Sequence, residues 1–314
     1  MPKASHTNHH VLLETRTGVE VNVVVRRFTD AGRLATDPWY VPSAEVDALR
    51  TIASLDLPAP HLLDADLEPS ACDVPTLLLT WLPGSAPERP ADLEGFARTL
   101  AEPLPLVHSA RPGEGARRFA PYDPIDELSV PAWSPDTRMW EHVLDVVRGT
   151  QPPAADVFIH RDYHHANTLW HGGKLSGIVD WTTGCVGPPG IDLGWMRMNL
   201  AWDFGSEAAR SFLAAAVNAG VGAYHPYWDL LCAAEWLDDR PPTDEEERRG
   251  FDRFEAYVRG VLASCPEGSI SCYGVARRYF VPRRSPTRSR RPSPTSVSSS
   301  RSAPALSSPV SFLT

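Results

Sequence analysis

The sequence predicts an α+β chain of two lobes, a small β-rich N-lobe and a mainly helical C-lobe, ending in a disordered tail. Three observations carry that reading. β-Branched runs broken by turn residues fill the first segment, residues 1–84. Apolar residues recur at helical spacing from about Asp92 onward, interrupted by a β-type stretch at 156–180, so residues 85–281 form the second lobe. Residues 282–314 hold eleven serines and six prolines and show neither period, so they bury too little apolar surface to offset the entropy of ordering.

In the N-lobe, Val11–Thr15 and Val19–Val25 are strand-like runs separated by Arg16-Thr-Gly18, which reads as a hairpin. Pro42-Ser43 is a helix-start signal, and the apolar residues that follow to Ile52 keep helical spacing. Thr76–Thr80 reads as a short buried strand, which Trp81-Leu-Pro-Gly84 ends.

Composition narrows the function. No apolar run approaches the ~18–20 residues that a membrane-spanning helix needs. The start has no apolar stretch of a secretory signal. The five cysteines are scattered and form no CxxC, which fits a reducing, cytoplasmic setting. Net charge is −9, yet residues 282–314 carry six arginines and no acid, so the body bears −15. An acidic body disfavours nucleic acid as a partner of the core and favours cationic ones. Only Lys3 and Lys174 are lysines.

The chemistry-bearing segment begins at the strand Val157–Ile159, which delivers the polar loop His160–Asn167. A short strand, the Gly172-Gly173 turn and a third strand follow, ending on Asp180. That order brings Asp162, Asn167 and Asp180 to one end of a hairpin. Oxygen donors of this kind suit Mg²⁺. Phosphoryl transfer needs a carboxylate at the attacking hydroxyl and metal-neutralised phosphates. Taken singly, these residues are also ordinary turn formers. His160, His164, His165 and His171 do not read as a zinc set, because they lie between strands rather than on one helical face. There is no GxxxxGK[ST] phosphate loop.

His160-Arg-Asp162 with Asn167 matches the H-x-D-x-x-x-x-N loop of protein-kinase-like enzymes. Together with Ile178-Val-Asp-Trp181 and Gly187–Leu193, the chain resembles the aminoglycoside phosphotransferase family over roughly residues 5–280. The resemblance implies a bilobal protein-kinase-like fold with ATP in the cleft and transfer of its γ-phosphoryl group to a small-molecule hydroxyl. It implies Asp162 as the catalytic base, Asn167 and Asp180 as Mg²⁺ ligands, and Asp192 as an acid bracing the loop. His160 would fix that loop by a hydrogen bond. With no lysine between Lys3 and Lys174, the phosphate-contacting cation would be Arg26, or Arg27 one register away, paired with Glu45. Arginine suits this, since its fork matches phosphate or carboxylate. Backbone groups of Thr80, Trp81 and Leu82 would hydrogen-bond the adenine.

Two departures stand out. No glycine precedes Gly18, so the first strand and Gly-rich phosphate-covering loop are not readable; a nucleotide-binding pseudoenzyme is therefore a second reading. Arg161 stands where this branch usually has glycine, and only eleven residues separate Asp180 from Asp192, too few for a long activation loop. Bland readings accompany the site: Arg26 and Glu45 as a surface ion pair, Asp192 as a helix-start cap. Glu235, Asp238, Asp239 and Asp244–Glu247 read as a solvated face or as the lining for a polycationic acceptor. The acceptor stays open among an aminoglycoside and a choline, sugar or amino-acid type of metabolite.

Overall fold

Thr15 and Gly18 close the first hairpin of the computed structural model. The Thr15 amide donates to the Val19 carbonyl at 2.8 Å, and Gly18 adopts φ 77°, open to glycine without strain. The structure describes residues 6–265 except 88, 223 and 237–240. The expected tail at 282–314, Cys272, Asp238 and Asp239 lie outside the described residues.

The hairpin joins β1 (Thr7–Glu14) to β2 (Glu20–Arg27), longer at the outer ends than the β-branched runs alone indicate. Cross-strand pairing of Thr7 with Arg27 extends it. With β3 (Leu62–Asp66) and β4 (Thr76–Thr80) they form an antiparallel sheet ordered β1-β2-β4-β3. β1 is an edge strand, exposed along nearly its whole length. Period-two alternation on β2 turns Arg26 inward with Phe28, while Arg27 points away to the exposed Asp73.

Helix α1 (Ala31–Thr36) follows, then α2 (Pro42–Ile52) with proline at its first turn, where a missing N–H is harmless. α2 buries Glu45, Val46, Ala48, Leu49 and Ile52. Gly184 lets this helix reach the C-lobe: a Cβ there would stand 2.8 Å from Ala48 and 3.1 Å from Phe158.

The C-lobe contains α3 (Leu93–Ala101), α4 (Leu104–His108) and α5 (Thr137–Val147), then β5 (Val157–Ile159), β6 (Thr168–His171), β7 (Lys174–Ile178) and β8 (Cys185–Gly187). Helices α6 (Gly190–Phe204), α7 (Ser206–Ala219), α8 (Pro226–Glu235) and α9 (Glu245–Ala263) complete it. Asp92, Asp136 and Asp244 cap α3, α5 and α9 by accepting amide N–H groups of the first turn. One apolar cluster runs from the sheet through α2 and α3 to α7; a second fills the space among α5, α6, α8 and α9. Trp39 belongs to the second, although its chain neighbours belong to the N-lobe. Among the described residues no helix is long and apolar enough to cross a membrane.

Candidate active site

β5 pairs antiparallel with β8, which anchors the start of the His160–Asn167 loop. The β6–β7 hairpin turns on Gly172 and Gly173, both at positive φ, and the Val179 amide donates to the Asn167 carbonyl at 2.9 Å. The two ends of the hairpin therefore meet, and Asp180 follows directly. Asn167 Nδ2 donates to Asp162 Oδ2 at 3.2 Å and to the Asp162 carbonyl at 3.0 Å, leaving its Oδ1 for another partner. His164 Nε2 lies 3.5 Å from Asp162 Oδ1. Burial pushes the Asp162 carboxyl up, but the neighbouring His164 outweighs it and holds the group below its ordinary value.

Asp180 has a left-handed backbone, φ 66°. Its Oδ1 accepts from Arg26 Nη2 at 2.5 Å and from the Thr182 hydroxyl at 2.9 Å, while Oδ2 faces His6 Nε2 at 3.6 Å. Burial opposes ionisation here, yet the Arg26 guanidinium and His6 keep this carboxyl well below the usual range. Arg26 Nε touches Glu45 Oε2 at 2.7 Å as a charge contact without an aligned N–H, its aligned bonds going to Asp180 and Thr182. Burial accordingly pushes the Glu45 carboxyl up to about 7, against the pull of Arg26. Arg26 and not Arg27 thus pairs with Glu45, and both Arg26 and Glu45 are buried rather than a surface pair.

His160 and Asp192 sit behind this site. Both are wholly buried, so their side chains reach the loop from behind and do not face the cleft. His160 Nε2 donates to the Val179 carbonyl at 3.0 Å, and its ring packs on Trp181. Asp192 Oδ2 accepts the His160 amide at 3.1 Å and Oδ1 the Arg161 amide at 2.8 Å, with His108 Nε2 3.0 Å away. Helix α6 has no side-chain cap, so Asp192 holds the loop instead of capping.

Along the interlobe connection Thr80 is the last residue of β4. Its amide donates to the His61 carbonyl at 2.9 Å, because β4 extends through it. Trp81 and Leu82 lie beyond the strand, with no backbone partner among the described residues. The Trp81 ring stacks on His10 at 5.0 Å.

Arg161 has φ 71°, the left-handed region, which costs a non-glycine residue ~1–2 kcal/mol. Its side chain is nonetheless wholly buried, against Trp39, Phe119 and Tyr122. Neither this box nor Thr182, which joins Arg26 to Asp180, is marked by any local motif; Thr182 stands two residues after Asp180 with nothing to distinguish it from a turn residue.

The donor chemistry fits a hard divalent cation: Asp180 is held ionised, and Asn167 keeps a free amide oxygen.

A model of the phosphotransferase enzyme family matches residues 4–236. Homoserine kinase of Gluconobacter oxydans (strain 621H) is 28% identical over 247 residues, 72% of this chain and 73% of that protein. Choline kinase LicA from Streptococcus pneumoniae superposes with TM-score 0.54 at 17% identity, covering 82% of this chain and 91% of that one. A thermostable variant of aminoglycoside phosphotransferase APH(4)-Ia, in ternary complex with ADP and hygromycin B, gives TM-score 0.52 at 17% identity, over 80% and 93% of the chains. These structures share the protein-kinase-like fold described above. With a family match over most of its length, the chain belongs to the phosphotransferase enzyme family, whose members act on hydroxyl groups.

Proposed function

We propose that this phosphotransferase moves the γ-phosphoryl group of ATP to the hydroxyl of a small, cationic amino alcohol. The observation that carries the reading is the meeting of Asp162 with Asn167, next to the Arg26–Asp180–Glu45 cluster. Asp162, ionised and partly open to the cleft, would accept the hydrogen bond of the attacking hydroxyl and take up its proton. Arg26 would place its fork on the nucleotide phosphates, while Glu45 and Thr182 hold it in position. Asn167 and Asp180 would hold Mg²⁺, which neutralises phosphate charge when bound. The amides of Trp81 and Leu82 would meet the adenine.

The acidic body, and Asp203 beside the loop where it pairs with His165 at 2.8 Å, favour a cationic acceptor. Homoserine, choline and aminoglycosides all combine a hydroxyl with a cationic nitrogen. The homoserine kinase relative favours the metabolite reading, and the resistance-type reading stands as the alternative.

A coupled assay of ADP release with magnesium–ATP and these three acceptor classes tests the proposal. Turnover with one of them, lost in Asp162→Asn, is the expected result. Saturable ATP binding with no turnover on any acceptor would instead leave a nucleotide-binding pseudoenzyme.

A further inference from the structure

Arg161 stands between His160, sealed in the core, and Asp162, which reaches the cleft. Its guanidinium carbon lies 4.5, 4.9 and 3.7 Å from the ring centroids of Trp39, Phe119 and Tyr122. Nη2 donates to the Ala120 carbonyl at 2.8 Å and meets Glu235 Oε1, at the end of α8, at 3.3 Å. Nε and Nη1 find no acceptor among the described residues, so ring faces carry the remainder of the charge. Trp39 comes from the N-lobe, between α1 and α2, and Arg117 covers it at 4.9 Å. Glu235 Oε1 also accepts the Tyr122 amide at 2.6 Å. One buried cation therefore joins an N-lobe ring, the 119–122 segment and α8 to the residue preceding Asp162.

We propose that Arg161 is a positioning residue for phosphoryl transfer, clamping the N-lobe through Trp39 to α8 through Glu235 and so setting where the Asp162 carboxylate stands. The inference rests on the reading of Asp162 as the group at the acceptor hydroxyl. A left-handed arginine persists only where its surroundings over-determine it, and here both its amide and its side chain are held. Glycine would adopt this backbone freely, yet would empty the ring box and leave Glu235 without its cation.

The test uses the full chain and six variants: Arg161→Gly, Arg161→Lys, Trp39→Leu, the pair Arg161→Gly/Glu235→Gln, that pair with Trp39→Leu added, and Asp162→Asn. The pair removes both charges and so keeps a folded protein if the single glycine variant fails. ATP turnover is followed with magnesium–ATP and homoserine, choline or an aminoglycoside. Amide hydrogen exchange over residues 160–167 is read in parallel, and it decides alone if no acceptor turns over. The pair is expected to lower kcat about tenfold or more with KM values within about threefold, and to speed exchange in the loop. Lysine keeps the charge but not the planar fork, so it restores little. Adding Trp39→Leu to the pair brings no further loss, because both cut one clamp. Wild-type kcat and exchange in the pair, or fully multiplicative losses, overturn the clamp. Full activity in Asp162→Asn would instead remove the reading beneath it, whereas an inactive Asp162→Asn beside a wild-type pair removes the clamp alone.

Discussion

Arg26 and Arg161 are both buried guanidiniums facing a buried glutamate, and their remaining neighbours are opposites. Around Arg26 they are mainly oxygens: Asp180, Thr182 and Glu45. Around Arg161 they are rings, with one carbonyl and one carboxylate. An oxygen-dressed cation at the cleft has partners that a phosphate can join, and Asp180 beside it is 26% exposed. A wholly buried, ring-dressed cation is closed to substrate. The proposed roles follow that difference: phosphate contact for Arg26, placement of Asp162 for Arg161.

The strongest way to break this contrast is Asp162→Asn. It should lower kcat by ~10²–10⁴-fold, the usual worth of a positioned acid or base, with the melting temperature little changed. Activity within a few-fold of wild type, read in the ADP-release assay, would sink the site assignment. Next comes Arg26→Leu, which strands Asp180 and Glu45 without their cation and should reduce unfolding free energy by ~3–5 kcal/mol in a denaturant titration. Arg26→Lys should lose much less stability while still impairing turnover, because the charge survives and the fork does not.

Phe119→Leu sharpens the other side. Removing one ring from the Arg161 box should cost about 0.5–2 kcal/mol of stability. A larger loss in turnover than in stability would support the placement role.

The smallest effect concerns pH. Burial lowers the proton affinity of His164, but the Asp162 charge and hydrogen bond outweigh it, so His164 titrates above its ordinary 6.5. A group whose folded value is raised contributes fully below its unfolded value and loses that contribution as pH rises through the folded one. Thermal melts of wild type and His164→Asn should therefore differ most below pH 6.5 and converge above the raised value. A gap that widens with pH would contradict the pairing.

How much was legible depended on distance along the chain. Helix α2 runs Pro42–Ile52 and β4 Thr76–Thr80 as read, since proline at the first turn and a run of leucines are local signals. The loop-and-hairpin order was equally readable, because strand, turn and strand follow one another within residues 157–180. Helix α1 and strand β3 were not foreseen: one is a single short stretch, and the other carries Asp64 and Asp66, poor strand formers, until β4 pairs with it. That the Thr80 amide is spent on the His61 carbonyl could not be read locally, because the partner lies nineteen residues away.

Residue types and spacing by themselves determined that Asp162, Asn167 and Asp180 gather at one hairpin end, and that no lysine stands between Lys3 and Lys174, which leaves arginine as the cation of β2. Those are consequences of period, turn chemistry and composition. Only the folded chain decided that Arg26 rather than Arg27 turns inward, that the Arg161 side chain is buried among rings, and that Trp39 crosses to cover it. Such contacts join residues far apart in sequence, and burial, which sets whether a charge is spent on oxygens or on rings, exists only once both lobes have packed.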